Sequence, residues 1–216
     1  MKNNKLIQSL DLCNAQGLQF DKHSLIQSFE QYMGLIQEWN KYSKLVSIKD
    51  THEALPEHCA DSISLAPTLA TLLEKNEMKY WDLGTGGGFP AISLCILFPQ
   101  LSTRLIERNT KKCTFLRKVC NKLGLDQVDI ENRSFEASKG YSIPRIFTSR
   151  AIEKPELVIP EILRSLSVRD VYLCQSETIN EVSPSILKKF HVELLIDDFS
   201  TSGLRRNKLY LVKSTA

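Results

Sequence analysis

Residues 80–90 read YWDLGTGGGFP, and this stretch decides the fold of the chain. Its apolar start predicts a short buried strand, and its glycine cluster predicts a tight turn into a helix that begins near Pro90. Such a turn brings backbone amides to the carboxyl end of a strand, where ligands bind in open α/β sheets. Glycine is needed there because a Cβ atom would block the ligand or forbid the turn. The stretch therefore predicts a strand, a ligand-binding loop and a helix in succession.

The glycine spacing distinguishes between classes of ligand. A phosphate-binding P-loop needs a lysine after its last glycine, and none follows here. A dinucleotide-binding fold prefers G-x-G-x-x-G, and Phe89 stands where the third glycine would be. The observed spacing, Gly84-x-Gly86-x-Gly88 preceded by Asp82, is similar to the first motif of S-adenosylmethionine-dependent methyltransferases. This similarity implies that Asp82 serves the methionine end of the cofactor, directly or through water.

An acidic residue at the end of the next predicted strand is a second indication of an adenosine-bearing cofactor. Glu107 closes the alternating apolar run 102–106. In nucleotide-binding α/β folds a carboxylate at this place accepts hydrogen bonds from ribose hydroxyls. The alternative is an ordinary surface glutamate at a strand end. The glycine loop, Asp82 and Glu107 together favour the cofactor site.

Strand and helix patterns alternate along the rest of the chain. The predicted strands are 78–83, 102–107, 127–131, 145–150 and 169–174, and the predicted helices between them are 90–98, 110–123 and 155–166. This alternation predicts a doubly wound, Rossmann-like α/β sheet that is mostly parallel. Two closing strands, 191–196 and 208–213, predict an antiparallel C-terminal edge.

The first part of the chain is predicted to be helical. One helix follows Asp21 as its N-cap, and a second runs from about Glu57 to Leu73. We expect residues 1–75 to form a helical N-terminal cap and residues 76–216 to form an S-adenosylmethionine-dependent methyltransferase domain, with the two packed as one unit.

Composition excludes several classes of protein. The chain has 216 residues, of which 42% are hydrophobic and 25% charged, so it is neither disordered nor collagen-like. Its longest apolar run, 91–98, is too short to span a bilayer, and its start lacks the apolar core of a signal peptide. Six scattered cysteines without a C-x-x-C pair favour neither zinc nor disulfides. We expect a cytoplasmic, monomeric protein without a metal or a membrane partner.

Five short motifs, in the same order, resemble those of the bacterial small-subunit rRNA guanine-N7 methyltransferases, also called the glucose-inhibited division protein B family. Residues 82–90 match D-x-G-T-G-x-G-[F/L]-P, residues 111–116 resemble K-[K/R]-x-x-F-L, and residues 149–151 match S-R-A. Upstream, residues 39–41 and 58–62 resemble W-N-K and H-x-x-D-S. The resemblance implies transfer of the methyl group of S-adenosylmethionine to N7 of one guanine in 16S rRNA of the small ribosomal subunit.

The resemblance also implies roles for individual residues. Gly84 and Phe89 would contact the cofactor from the loop, Ser134 and Phe135 would flank the adenine, and Arg150 would contribute from the end of the fourth strand. With the residues already named, the predicted cofactor site comprises Asp82, Gly84, Gly86, Gly88, Phe89, Glu107, Ser134, Phe135 and Arg150. Guanine N7 has a lone pair and no proton, so we expect a proximity mechanism without a catalytic acid or base.

Basic residues supply candidate contacts to RNA. Lys111, Lys118 and Lys122 share one face of the predicted helix 110–123, and Lys112 adjoins them. A second, smaller candidate is the pair Arg205 and Arg206. The net charge of +3 permits a nucleic-acid partner without requiring one. A solvated helix face is the alternative interpretation of the lysines.

Several positions differ from the family pattern, and one of them is Val46 in place of the threonine of L-T-S. Glu57 replaces an arginine, Phe135 an acid, Arg145 an aspartate and Gln175 a lysine. These changes leave open a methyltransferase with a drifted substrate, or a non-catalytic RNA-binding or ribosome-binding module on the same fold. His58, which precedes Asp61 by one helical turn, is interpreted first as part of a structural pair and second as part of an RNA-facing rim.

Overall fold

The computed structural model describes residues 4–46, 54–75, 77–137 and 141–215. Within these ranges the chain forms nine α-helices, seven β-strands and one short 3₁₀-helix. In chain order they are α1 (Asn4–Ala15), α2 (Lys22–Trp39), α3 (Leu55–Ile63), α4 (Ala66–Lys75), β1 (Lys79–Leu83), α5 (Ala91–Leu97), β2 (Thr103–Ile106), α6 (Thr110–Leu123), β3 (Val128–Glu131), β4 (Arg145–Ser149), α7 (Pro155–Ser165), β5 (Val171–Cys174), the 3₁₀-helix (Glu177–Glu181), α8 (Pro184–Leu187), β6 (Phe190–Leu195), α9 (Asp198–Thr201) and β7 (Leu209–Ser214).

The seven strands form one sheet in the order β3-β2-β1-β4-β5-β7-β6. Strands β1 to β5 pair in parallel, and β7 runs antiparallel to both β5 and β6. This confirms the predicted doubly wound sheet with an antiparallel C-terminal edge. Connections from β1 to β2 and from β4 to β5 run in opposite directions along the sheet, so a crevice opens at the carboxyl ends of β1 and β4.

Apolar cores cover both faces of the sheet. On one face the first four helices share a core with α5 and α6, for example through Leu6, Phe29 and Phe115. On the other face α7 packs through Ile159 against Trp81 and other strand residues. The division of the chain at residue 75 stays a prediction. In the described residues no helix is long and apolar enough to cross a bilayer.

One predicted helix is wrong in its extent. The segment predicted as a single helix from Glu57 to Leu73 is two helices, which are separated at residues 64 and 65. Pro67 lacks the N–H group that a continuous helix would need to bond Ile63, so the first helix ends there. The Ser64 hydroxyl donates a hydrogen bond to the Asp61 carbonyl at 2.6 Å, which stabilises the turn. The bounds of α6 agree with the prediction, and the ends of the other predicted strands and helices differ from it by at most two residues.

Candidate functional site

A cleft of about 750 Å³ opens at the carboxyl ends of β1, β2 and β4. Seven of the nine predicted cofactor residues line it: Gly84, Gly86, Phe89, Glu107, Ser134, Phe135 and Arg150. Asp82 and Gly88 lie behind the wall, and Asp82 is fully buried. Asp82 does not line the cleft, because its side chain is buried beneath the glycine loop.

The glycines of the loop have different structural roles. Gly84, Gly86 and Gly88 all have positive φ angles, of 67°, 56° and 99°. A Cβ atom on Gly88 would lie 2.5 Å from Ile92 and 2.8 Å from the Tyr32 hydroxyl, so this glycine allows α5 and α2 to pack on the loop. A Cβ atom on Gly86 would meet no atom closer than 3.8 Å. Gly86 therefore borders open space, and Gly88 serves internal packing.

Glu107 is the fixed acidic group of the cleft. It follows β2, is 6% exposed, and accepts hydrogen bonds from the Gly86 amide at 3.0 Å and the Asn109 amide at 2.8 Å. Asn109 in turn caps α6 by accepting from the amides of Lys111 and Lys112. Each Glu107 oxygen thus holds one main-chain amide and retains lone pairs for a further donor.

Four amides of the glycine loop, those of Gly84, Thr85, Gly86 and Gly88, are bonded within the protein. Those of Gly84 and Thr85 donate to the Ile106 carbonyl at 2.8 and 3.4 Å, and that of Gly88 donates to the Thr85 carbonyl at 2.7 Å. The Gly86 amide donates to Glu107. A phosphate group needs free amides and is repelled by a neighbouring carboxylate. These four amides are therefore not available to a phosphate group.

Asp82 combines complete burial with an incompletely satisfied carboxyl group. Its Oδ1 accepts a hydrogen bond from the Thr148 hydroxyl at 2.6 Å, and Thr148 in turn accepts one from Tyr80 at 2.6 Å. Its Oδ2 has no hydrogen-bond partner among the described residues. Burial raises the pKa of Asp82 to about 7, an effect that outweighs the opposite influence of the hydroxyls of Thr148 and Thr85 and of the Arg150 charge.

Arg150 anchors the wall of the cleft at the end of β4. Its guanidinium forms an ion pair with Asp61 at 3.1 Å, contacts Nδ1 of His58, and lies 5.7 Å from the centre of the Phe89 ring. The side chain is 9% exposed. His58 also packs on Phe89, with 5.5 Å between ring centres. The predicted pairing of His58 with Asp61 is thus made through Arg150, and His58 lines the cleft as well.

Asp61 connects this wall to the C-terminal part of the chain. It is fully buried, and its carboxylate accepts hydrogen bonds from the amides of Arg206 at 2.7 Å and Asn207 at 3.3 Å. The Gln175 side-chain amide donates to it at 3.5 Å. One buried carboxylate therefore joins α3, the end of β4, the end of β5 and the loop before β7.

The loop between β4 and α7 contributes further residues to the cleft beyond the predicted Arg150. Ala151 and Lys154 have positive φ angles of 48° and 54°, which are unusual for residues with a side chain. Arg108, from the opposite side of the cleft, forms an ion pair with Glu153 of this loop. Further residues that line the cleft include Leu45, Val46, Arg108, Arg133, Ile152, Glu153, Lys154, Leu157, Val158 and Glu161. The position of this loop after a central parallel strand was the available sequence indication.

The predicted RNA contacts differ in their surroundings. Lys112 lines the cleft, and Lys111 and Lys122 are exposed on α6. Lys118 forms an ion pair with Glu38 at 3.2 Å and lies over the Trp39 ring. The first turn of α6 is thus the part of the predicted basic face that borders the cleft.

Arg205, which was predicted to contact RNA, has a buried side chain instead. Its side chain is 1% exposed, pairs with Asp197 at 2.7 Å and donates to the hydroxyl and carbonyl of Ser64. A buried guanidinium with these partners holds the fold together and is not available to RNA. Arg206 is exposed and lies 3.8 Å from Glu57.

Two other residues that depart from the family pattern, Glu57 and Arg145, form ion pairs within the protein. Glu57 pairs with Lys5 at 2.8 Å on the surface, and this pairing lowers the pKa of Glu57. Arg145 is buried, pairs with Asp170 at 2.7 Å and lies against Trp81.

Among the described residues, no group of three or more histidines, cysteines or acids could hold a metal ion.

Comparison with known proteins gives one family. The family model described as rRNA small subunit methyltransferase G matches residues 25–174. The protein named Ribosomal RNA small subunit methyltransferase G from Thermoanaerobacter pseudethanolicus is 37% identical over 105 residues, which cover 49% of this chain and 42% of that protein. The protein of the same name from Streptococcus gordonii is 32% identical over 157 residues, covering 69% and 65%. The chain spans about half the length of the curated relatives it matches.

A solved structure shares the fold at low sequence identity. The crystal structure of an MtNAS variant in complex with S-adenosylmethionine aligns with a TM-score of 0.57 and 16% identity. The alignment covers 90% of this chain and 79% of that chain. At this identity the likeness concerns the fold.

Proposed function

The chain belongs to the rRNA small subunit methyltransferase G family, whose model matches well over half of it, and we propose that it methylates N7 of a guanine in 16S rRNA with S-adenosylmethionine as the methyl donor. The observation that carries this proposal is the chemistry of the glycine loop. Its amides at Gly84, Thr85, Gly86 and Gly88 are bonded within the protein, and Glu107 stands beside them. S-adenosylmethionine has a positive sulfonium and no phosphate, so it needs none of these four amides, and Glu107 is available to its ribose hydroxyls.

The residues of the cleft fit the parts of this cofactor. Glu107 has lone pairs for the ribose hydroxyls, and Phe135 offers an apolar surface to the adenine beside Ser134. The open side of Gly86 leaves room for the methionine part. The buried Oδ2 of Asp82, which has no partner among the described residues, would accept a donor from this part through a water molecule. Glu107 thus offers a negative charge to the cofactor, and Asp82 adds a second one in its ionised form.

The cofactor supplies an activated methyl group, and the side chains of this protein hold the two reactants together. Guanine N7 carries a lone pair without a proton, so no group needs to remove one. Alignment of two bound reactants lowers a bimolecular barrier by about 7 to 11 kcal/mol. Arg150, fixed by Asp61 and His58, holds the Phe89 wall in place, and Phe89 and Leu45 give that wall an apolar surface.

The rim of the cleft supports an RNA substrate. Lys112, Arg108, Arg133 and Lys154 all line it, and Lys111 adjoins Lys112. Arg108 and Arg133 pair with Glu153 and Glu131, whereas Lys112 and Lys154 have no ion pair among the described residues. The two lysines would neutralise RNA phosphates and make binding depend on salt. We propose that the chain acts as a monomer.

Calorimetry and methyl transfer test the proposal. The protein should bind S-adenosylmethionine and not NAD, and it should transfer a tritiated methyl group to N7 of guanine in small subunits that lack the modification. Binding of the cofactor without labelling would indicate a drifted substrate. Binding of RNA without the cofactor would indicate a non-catalytic module. If the protein bound neither cofactor, both enzymatic interpretations would fail.

A further inference from the structure

The turn that follows α2 presents an unusually exposed aromatic side chain. Among the large hydrophobic side chains of the described residues, Tyr42 and Ile196 are the most exposed, each at 75%. A single exposed apolar side chain is ordinary in a folded protein and needs no explanation by itself. Tyr42 differs because its neighbours Lys41 and Lys44 are also exposed. Neither lysine pairs with a carboxylate of the described residues.

The turn is held in place by several hydrogen bonds. The amides of Tyr42 and Ser43 donate to the Trp39 carbonyl at 2.9 and 3.1 Å. The Asn40 side chain accepts from the amides of Leu45 and Val46 at 2.7 and 3.1 Å. Tyr42 is therefore presented by an ordered backbone, which lowers the entropy lost when a partner packs on its ring.

The position of the turn connects it to the cleft. Leu45 and Val46 line the cleft, and the Leu45 carbonyl lies against the glycine loop, 3.3 Å from where a Cβ atom on Gly87 would be. Tyr42 is three residues before Leu45, a separation that spans at most about 10 Å. The Trp39 ring packs on Phe115 of α6 at 6.0 Å between ring centres. The turn thus lies on the rim, beside the helix that carries Lys111 and Lys112.

An exposed aromatic ring between lysines, next to a basic rim, has the composition of a site for single-stranded nucleic acid. Such sites combine stacking of bases on aromatic rings with cations that follow the backbone. We propose that Tyr42 stacks on an unpaired base of the RNA next to the target guanine, and that Lys41 and Lys44 contact the adjoining phosphates. This inference rests on the proposed function of the cleft and adds a residue that positions the RNA.

Three variants test the stacking. Tyr42→Ala removes the ring, Tyr42→Phe keeps the ring and removes the hydroxyl, and Ile196→Ala is a matched control that removes an equally exposed apolar side chain elsewhere. Filter binding with protein-free 16S rRNA gives the Kd, methyl transfer gives KM and kcat, and calorimetry gives the affinity for S-adenosylmethionine. We expect Tyr42→Ala to raise Kd and KM about tenfold, while Tyr42→Phe and Ile196→Ala stay within about twofold of the unaltered protein. The affinity for the cofactor should be unchanged in all three.

The lysines are tested by the salt dependence of RNA binding. A double Lys41→Ala, Lys44→Ala variant should lower the slope of log Kd against log salt concentration by about 1.4, because each phosphate contact to a single strand contributes about 0.7. An unchanged slope would remove the lysines from the interface.

Other outcomes would overturn the inference in different ways. If Tyr42→Ala bound RNA like the unaltered protein, or if Tyr42→Phe were as weak as Tyr42→Ala, the ring would not stack on a base. An effect seen only with intact subunits, and not with protein-free RNA, would mean that Tyr42 contacts a ribosomal protein instead. If the unaltered protein methylated no RNA, the proposed function itself would fail, and this inference with it.

Discussion

Replacement of Asp82 by asparagine should stabilise the protein at neutral and alkaline pH while it weakens cofactor binding. Asp82 is fully buried, and only one of its two oxygens has a partner among the described residues. Asparagine has the same shape and can still accept the hydrogen bond from Thr148 through Oδ1. The variant therefore removes the charge and keeps the packing, which isolates the effect of burying a carboxylate.

The direction of the pH dependence follows from the two pKa values. In the unfolded chain the carboxyl titrates near 3.8, and in the folded protein the pKa of Asp82 is about 7. Between these values the folded state holds a proton that the unfolded state has lost, so this group makes stability fall as pH rises across that window. One pKa unit corresponds to about 1.4 kcal/mol, so the full penalty above pH 7 is about 4 kcal/mol.

Urea unfolding at several pH values between 4 and 8 measures this effect. The free energies of unfolding of Asp82→Asn and the unaltered protein should be close near pH 4, and the variant should be more stable by up to about 4 kcal/mol at pH 8. Asp126→Asn, at an exposed position, is the control and should show no such trend. A difference that is the same at every pH, or a less stable Asp82→Asn at pH 8, would refute the reasoning. Calorimetry on the same variant should show weaker binding of S-adenosylmethionine, because a compensating negative charge is lost.

Four further substitutions test other parts of the structure. Glu107→Gln should weaken binding of S-adenosylmethionine about 10- to 100-fold, since a hydrogen bond to a charged group contributes about 1.5 to 3 kcal/mol; an unchanged Kd by calorimetry would remove Glu107 from the site. Asp170→Ala should lower the free energy of unfolding by about 3 to 5 kcal/mol, because the buried guanidinium of Arg145 loses its counter-charge; a loss below about 1 kcal/mol in urea unfolding would contradict this. Gly88→Ala should destabilise the fold severely through its clash at 2.5 Å, whereas Gly86→Ala should cost only about 1 to 2 kcal/mol for its left-handed backbone; equal thermal stability of the two variants would show that the two glycines do not differ in role.

Local patterns were sufficient to predict the seven strands and the helices α2, α5, α6 and α7, but not α1, α8, α9 or the division between α3 and α4. The bounds of α6 agree with the prediction because Asn109 caps its start and Gly124, in a left-handed conformation, ends it. Both are short-range features that a sequence displays directly. The alternation of strands and helices then limits the sheet to few topologies.

Long-range contacts were beyond those patterns. Arg205 stands in a basic stretch that resembles a solvated surface, yet its partners are Ser64 and Asp197, and Ser64 is 141 positions away. The motif that contains Asp82 indicates a cofactor but not the burial that raises its pKa. Tyr42 follows the W-N-K motif, and only the structure shows that the turn beside it reaches the cleft. Each of these properties depends on the packing of segments that are distant in the chain.

The bonds that Asp61 accepts from Arg206 and Asn207 have a consequence for biosynthesis. Synthesis proceeds from the N-terminus, so α3, β1 and β4 emerge long before these two donors. Until then the Asp61 carboxylate lacks two of its main-chain partners. Asp61, which pairs with Arg150, is therefore not yet held in its final position. The wall of the cleft would therefore reach its final support only after translation has passed residue 207.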